Sequence, residues 1–328
     1  MPQVTLPADD AVQAGALIQW WYWTGRLVAE DGRAFGFEVC FFVGATPHLL
    51  LCGQMAQSAV SDLGGKAFVD QERVFVGAPA ILDDAFALAT PDAVITARGG
   101  DGHDVLHSET SGYVLDLRVE ATAPATVHYR GLDHAYAFGG DTYYYSRETM
   151  TAQGSLRLPS GETLAVKGDT WFDRQWGDLA FAVLLGWQWF ALQLADGTRV
   201  MLFDFYRYPK ESYGSYTEPG ASGQSGATRE LGPSDYSVEV LGWWTSPDSG
   251  IQYPHGWRVR TCGKTWLVRP LLDDQELEGR FWIGPRYWEG ACVMTDEHGV
   301  ELGHAYVELV GFSTWERPIG APLPEGAP

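Results

Sequence analysis

Gly168-Asp169-Thr170-Trp171-Phe172-Asp173-Arg174-Gln175-Trp176-Gly177-Asp178 is the stretch whose reading settles the fold. Read as a strand, its period of two places Trp171 and Asp173 on one face and Phe172 and Arg174 on the other. A carboxyl group set among Trp171, Phe172 and Trp176 loses hydration. Its charged form is then disfavoured, its pKa rises, and near neutral pH it can serve as a general acid. The stretch has an echo far downstream, Gly303-His304-Ala305-Tyr306-Val307-Glu308-Leu309. There a glycine is again followed by an aromatic residue at the third position and an acid at the fifth.

Working outward, the chain reads as strand after strand. Runs rich in β-branched and aromatic residues cover Ile18–Leu27, Phe35–Val43, Val114–Val119, Thr163–Trp171, Trp187–Leu194 and Val200–Tyr206. Others cover Tyr236–Trp244, Trp257–Arg260, Thr265–Arg269, Ala291–Thr295 and His304–Val310. Turn pairs such as Asp31-Gly32, Ser160-Gly161, Asp196-Gly197 and His298-Gly299 punctuate them, and Asp-Gly between two such runs is a strong hairpin signal. Short helical turns are expected near Pro79–Phe86 and Leu271–Leu277, and a flexible loop over the Gly-, Ser- and Pro-rich Glu218–Gly232. The fold class is all-β.

The pattern repeats. Trp21-Tyr22-Trp23, a turn at Asp31-Gly32 and an aromatic strand ending at Phe42 match Trp187-Gln188-Trp189, a turn at Asp196-Gly197 and a strand ending at Tyr206. The closing hairpins match likewise, one ending in Asp173 and the other in Glu308. An internal duplication into two β-domains follows, with a boundary near Asp178–Gly186. The expected layout is an N-terminal arm over 1–17, a first domain over 18–180, a second over 181–317 and a Pro-rich tail over 318–328.

Composition narrows the function. The 328 residues carry a formal net charge of −20, and Lys and Arg form no run, which argues against nucleic-acid binding. No apolar run reaches the roughly 18–20 residues of a membrane span, so stable membrane insertion is not expected. The first ten residues lack the basic start and apolar core of a signal peptide, which makes a cytoplasmic location the default and leaves open a secreted form already processed. The content of 14 Trp, 15 Tyr and 15 Phe suits β-structure and large apolar pockets. Cys40, Cys52, Cys262 and Cys292 lack zinc spacing and read as small buried hydrophobes. His103 and His107 are spaced as metal ligands could be, but they lie beside an exposed turn, and no metal is expected. No Gly-x-Ser-x-Gly elbow and no Gly-x-Gly-x-x-Gly after a strand is present, so a serine hydrolase and a nucleotide site lack support.

Trp20-Trp21-Tyr22-Trp23-Thr24-Gly25-Arg26-Leu27 with Phe35-Gly36-Phe37 resembles the opening of the AttH-like/CrtC-like lipocalin-fold family. Tyr144-Tyr145-Ser146-Arg147 is similar to that family's central Y-Y-S-R strand, and Gly168 to Gly177 to its G-x-x-W-x-D-H-x-W-G strand. Tyr253-Pro254, Trp257, Pro270, Gln275-Glu276-Leu277, Tyr287-Trp288-Glu289-Gly290 and Gly303 to Gly311 follow in the family's order, so the resemblance spans Ile18 to Trp315. It implies two consecutive calycin/lipocalin-like β-barrels. It also implies chemistry on a bulky apolar molecule without a cofactor, as in carotenoid 1,2-hydratases, kievitone hydratase and decalin-forming pericyclases. Two positions depart from the pattern: Gln19 stands where an acid is usual, and Arg174 where a histidine is usual.

By this resemblance Asp173 is the proton donor to a C=C bond, and Tyr144 and Trp171 stabilise the developing carbocation through their π faces. Ser146 pairs with Tyr144 on the preceding strand. Trp176, Trp21, Trp23, Trp187, Trp189, Trp288 and Glu289 are candidates for lining the substrate pocket, although Trp21, Trp23, Trp187 and Trp189 read most simply as barrel core. For Asp173 the alternative is a buried salt bridge with Arg147 or Arg174, and for Glu308 a structural role. The leading expectation is a hydratase or hydro-lyase acting on a hydrophobic terpenoid or polyketide-like substrate. A cyclase that shapes a polyene, and a carrier that binds a lipid or pigment unchanged, are the alternatives.

Overall fold

The computed structural model describes residues 3–45, 52–137, 139–179, 186–205, 211–220, 225–279 and 286–312. The first half contributes β1 (Ile18–Ala29), β2 (Ala34–Ala45), β3 (Cys52–Asp62), β4 (Ala67–Val76), β5 (Phe86–Ala89), β6 (Ile95–Gly100), β7 (His103–Thr110), β8 (Tyr113–Ala121), β9 (Thr126–Val127), β10 (His134–Ala135), β11 (Asp141–Arg157) and β12 (Thr163–Gly177). The second half contributes β13 (Trp187–Leu194), β14 (Arg199–Phe205), β15 (Glu211–Pro219), β16 (Ser225–Leu231), β17 (Tyr236–Val240), β18 (Trp243–Thr245), β19 (Gln252–Pro254), β20 (Trp257–Thr261), β21 (Lys264–Pro270), β22 (Glu276–Leu277), β23 (Tyr287–Thr295) and β24 (Glu301–Val310).

The first sheet runs β4-β3-β2-β1-β12-β11-β8-β7-β6-β5, and the second runs β16-β15-β14-β13-β24-β23-β21-β20-β17. In each, the first strand of the half pairs with its last, and the next strands fan out on either side in the same order. The duplication is thus written into the connectivity. Each sheet curls toward closure to form the two lipocalin-like barrels. In the first, the Ser58 hydroxyl on β3 meets the Thr110 hydroxyl on β7, and Tyr113 donates to Asp62 at 3.1 Å.

Burial along the strands shows how the halves join. In β7 and β8 burial alternates residue by residue, because one face meets the barrel interior and the other meets water. In β1, β2, β3, β13, β14 and β23 nearly every residue is buried. The outer faces of these strands are covered by the other half. Three apolar clusters result: one inside the first barrel around Trp21, Trp23, Phe35 and Phe172, and one inside the second around Phe190, Trp257 and Trp288. The third lies in the seam between them, around Tyr22, Tyr144, Trp171, Trp187 and Trp189.

The glycines opening the two echoed motifs share one cause. A Cβ on Gly168 would stand 1.8 Å from the Arg26 carbonyl oxygen, and one on Gly303 would stand 2.3 Å from that of Gln193. The neighbouring backbone leaves no room for a side chain at either place.

The N-terminal arm, with a 3-10 turn at Ala8–Asp10, packs onto the first barrel. Asp10 is fully buried there and accepts both Arg147 guanidinium nitrogens, at 2.7 and 2.9 Å.

Several expectations are corrected. Pro79–Phe86 contains no helical turn, and Leu271–Leu277 ends in the short strand β22. Glu218–Gly232 is not a loop in its described part: β16 pairs with β15, and the Thr217 and Thr228 hydroxyls are 3.0 Å apart. Tyr236–Trp244 splits into β17 and β18. The tail over 318–328, Trp315, Tyr206 and most of the expected boundary region lie outside the described residues.

The repeat also shifts by one residue. Tyr22 lies opposite Asp173, and Trp189 lies opposite Glu308. Trp189 is therefore the counterpart of Tyr22, and Trp187 that of Trp20. Since a one-residue slip reverses every side chain, the two Trp-x-Trp motifs face opposite ways: Trp21 and Trp23 into the first barrel, Trp187 and Trp189 into the seam.

Candidate active site

The seam holds a cavity lined by both halves, with Tyr22, Asp173, Trp189, Tyr287, Glu289 and Glu308 among its walls. It comprises about 710 Å³ of atom-free space with its mouth included, little of it wide enough for the centre of a water molecule, so its form is a slot. Apolar walls with a few convergent polar groups are the usual make-up of a small-molecule site.

Asp173, 4% exposed, projects from β12 into this slot. Its register partner on β11 is Ser146, whose hydroxyl donates to Asp173 Oδ1 at 2.5 Å. Trp171 Nε1, on the same face of β12, donates to Oδ1 at 2.6 Å. The Tyr144 hydroxyl donates to Oδ2 and itself accepts from Trp189 Nε1 at 3.1 Å. All three donors are neutral. Burial pushes the carboxyl up to about 7; the three hydrogen bonds oppose that rise and the nearby Glu148 charge adds to it. Near neutral pH both forms are populated. The ionised form uses all three donors. In the protonated form Oδ2 becomes a donor to Tyr144, whose own hydrogen must then turn away from Asp173.

Neither arginine is the partner of Asp173. Arg147 is bound to Asp10 inside the first barrel. Arg174 lies with its guanidinium carbon 3.8 Å from the Trp21 ring centroid. It donates to the Ala11 carbonyl at 2.8 Å and to Gln19 Oε1 at 2.9 Å. The two departures from the family pattern, Gln19 and Arg174, therefore touch each other and are turned away from the slot.

Behind Ser146 stands His128, which the sequence did not single out. It is fully buried; its Nε2 lies 2.7 Å from Ser146 Oγ, its Nδ1 3.3 Å from the Tyr213 hydroxyl, and its ring centroid 4.2 Å from that of Tyr144. Burial lowers its pKa to about 3, so the imidazole is neutral at physiological pH. Tyr213 accepts the Tyr129 amide at 3.3 Å, which leaves its hydroxyl hydrogen for Nδ1. That assigns the imidazole hydrogen to Nε2, donating to Ser146, and leaves the Ser146 hydrogen for Asp173. His128 reaches its place through a turn in which Tyr129 and Arg130 have φ of 52° and 58°, a conformation that no run of apolar residues announces.

A second group of acids lines the same slot. Glu289 and Glu308 are register partners on β23 and β24. The Tyr22 hydroxyl donates to Glu289, and Trp187 Nε1 donates to Glu308 Oε2 at 2.8 Å. Burial raises both, Glu308 to about 7, and the charge of Glu308 raises Glu289 further. Glu38, from the middle of β2, is raised by burial and then by the charges of Glu289 and Glu308.

Of the residues singled out in the sequence, Asp173, Tyr144, Trp187, Trp189 and Glu289 line the slot. Ser146 and Trp171 stand behind Asp173 and hold it; Trp171 offers it an indole N–H, not a ring face. Trp21, Trp23 and Trp176 point into the first barrel, where Trp21 and Trp23 donate to the Asp10 carbonyl at 2.9 Å and to Asp104 Oδ2 at 3.0 Å. Trp288 points into the second and donates to the Asp273 carbonyl at 2.8 Å. Trp176 shares the parity of Arg174, so the alternation that placed Asp173 already turned it inward. Glu38 had a signal of its own, an acid inside the apolar run Phe35–Val43.

The raised carboxyls carry a pH signature. Asp173 and Glu308 hold their protons to about pH 7 in the folded chain, whereas unfolded carboxyls release them near 4. Their contribution to stability is complete below pH 4 and disappears as pH rises through 7, by about 1.4 kcal/mol per pH unit for each group. Asp31, Glu162 and Glu239, which arginine hydrogen bonds hold below the usual range, act in the opposite sense only in acid, while the imidazoles of His128 and His304, lowered by burial to about 3 and about 4, offset part of the carboxyl effect between pH 5.5 and 7. Urea unfolding in high salt, which mutes the net charge, is therefore expected to give a higher midpoint at pH 5.5 than at pH 8. A flat or rising profile would refute these assignments.

The fold is shared with known proteins. The sequence profile of the AttH-like family matches residues 1–312. Kievitone hydratase of Fusarium solani subsp. phaseoli is 25% identical over 189 residues, which span 53% of this chain and 50% of that enzyme. The chain thus matches about half the length of that relative. The solved structure of an AttH protein of Nitrosomonas europaea superposes with a TM-score of 0.78 at 26% identity, covering 95% of this chain and 98% of that one. The structure of kievitone hydratase from Nectria haematococca gives a TM-score of 0.74 at 18% identity, covering 94% and 93%, and shows a shared fold.

Proposed function

The chain belongs to the AttH-like family, and from that premise we propose that it is a hydratase or hydro-lyase acting on a C=C bond of a bulky, largely apolar molecule of terpenoid or polyketide type. One observation carries the reading: Asp173 is a buried carboxyl without a cation partner among the described residues, held by three neutral donors at the wall of an aromatic slot. The likeness to kievitone hydratase supports it.

In the forward step the Asp173 proton passes to one alkene carbon, and the π electron pair becomes the new C–H bond. The other carbon becomes a carbocation, which the π faces of Tyr144 and Trp189 stabilise electrostatically. A water lone pair then forms the C–O bond, and the water gives up a proton that restores the Asp173 carboxyl. The sum is addition of one water with no net oxidation or reduction, so the reaction calls for no electron carrier. Ser146 and Trp171 are positioning residues: they fix the carboxyl and limit its rise in pKa.

A test uses D2O. Purified protein is incubated in it with kievitone and with apolar molecules bearing a trisubstituted C=C bond. Hydration is expected to yield a product heavier by one D2O, with one deuterium bound to carbon. An isomer of unchanged mass and without deuterium would replace this reading with a cyclase, and recovery of every probe unchanged would replace it with a carrier.

A further inference from the structure

Glu38 is 1% exposed, lines the slot, and has no hydrogen-bond partner on either carboxyl oxygen among the described residues. Gln57 is fully buried and lines the slot beside it. On the paired strands β2 and β3, Glu38 lies opposite Ala59 and Cys40 opposite Gln57, so Glu38 and Gln57 are diagonal neighbours on one face. The Gln57 Oε1 accepts the Tyr287 hydroxyl, but its Nε2 has no partner. Three polar atoms, all deeply buried on residues that line the slot, thus have nothing among the described residues to satisfy them. Polar groups so placed are destabilising unless something binds them.

The neighbours decide what that is. With Glu289 and Glu308 close by and no Lys or Arg among the described residues that line the slot, Glu38 is held as the neutral acid, and an anionic ligand would be repelled. A neutral Glu38 offers one donor and one acceptor, and Gln57 adds an N–H donor. A cationic amine would draw Glu38 into its ionised form and pair with it, but it has no lone pair to accept the Gln57 N–H. A hydroxyl group both donates and accepts, and so meets the whole set.

We propose that Glu38 and Gln57 form a second polar pole of the slot, which binds an alcohol or phenol hydroxyl on a part of the substrate distinct from the alkene at Asp173. The substrate is then an oxygenated molecule and not a pure hydrocarbon. This rests on the reading of the slot as the substrate site.

The test compares 4-geranylphenol with its methyl ether, titrated against the intrinsic fluorescence of the tryptophans lining the slot. The phenol is expected to bind at least about tenfold more tightly, because a site built around a hydroxyl discriminates against its blocked form. Glu38→Leu and Gln57→Leu should each bring the two affinities toward equality. Glu38→Leu should also raise the melting temperature by about 2–4 °C, because it removes an unpartnered buried acid. Equal affinities in the unaltered protein, no saturable quenching by either probe, or a preference that survives both substitutions would overturn the proposal. A lower melting temperature with the preference intact would mark Glu38 as structural and overturn it too. Preference without hydration of any alkene would sink the hydratase reading alone, and hydration without preference would sink this proposal alone.

Discussion

Asp173→Asn is expected to lower turnover by about 10³-fold, within the 10²–10⁴ range of a general acid, while ligand affinity stays within a few fold. Asparagine has the shape of aspartate, and its carbonyl oxygen can still accept from Ser146 and Trp171. Its amide nitrogen would meet the Tyr144 oxygen as a donor, an arrangement open to Tyr144 because a hydroxyl rotates. What the variant lacks is a transferable proton near neutral pH. Folding should not suffer. The native carboxyl is raised to about 7 by burial, so at alkaline pH the neutral amide is the easier group to bury. Steady-state kinetics read the split: kcat falls and KM holds. A variant that kept most of its rate would show that the slot works by shape alone, as a cyclase can.

Arg147→Met is expected to destabilise the chain by about 3–5 kcal/mol, the usual cost of removing one partner from a buried ion pair. Arg147 and Asp10 are 4% and 0% exposed, joined by two hydrogen bonds. Asp10 also accepts the Asp101 amide at 2.6 Å and the Tyr145 hydroxyl. Methionine fills most of the volume but leaves the Asp10 charge inside the barrel with only these two donors. The double variant Asp10→Asn with Arg147→Met should recover much of the loss, since no charge then stays behind. Because Arg147 points away from the slot, kcat per folded molecule should not move. Urea denaturation checks the first claim, and a loss under about 1 kcal/mol would refute it.

The two arginines show how far sequence reasoning reached. The period of two correctly separated Asp173 from Arg174, but it could not say what lay on either side of the strand. Both arginines stood as alternatives for pairing with Asp173, although the same alternation set Arg174 on the other face; Arg147 stayed a candidate until Asp10 of the N-terminal arm proved to hold it inside the first barrel. The tryptophans misled for a related reason. Aromatic side chains suit a barrel core and a ligand wall alike, and a repeat aligned on Trp-x-Trp was one residue out of step, enough to exchange inside for seam. His128 was out of reach because a left-handed turn delivers it. Glu38 was legible in principle, since an acid in the middle of Phe35–Val43 has no structural reason to be there. The fold itself, carried by alternation, turn pairs and repetition, was legible throughout most of the chain.

The pairing of positions across the slot has a consequence for direction. Asp173 faces the half that carries Glu308, Tyr144 the half that carries Tyr287, and Tyr22 the half that carries Trp189, each the other's counterpart through the duplication. Two identical copies meeting in this way would enclose a space with equivalent ends, unable to tell a molecule from its reverse. With both copies in one chain, each end has been free to change alone. One has become a single carboxyl braced by Ser146 and backed by His128, and the other a set of carboxyls in which Glu289 replaces that serine. Under the proposed function, a substrate in such a space would have one preferred way to lie, and selectivity for which of its double bonds reacts would follow from the divergence of the two halves.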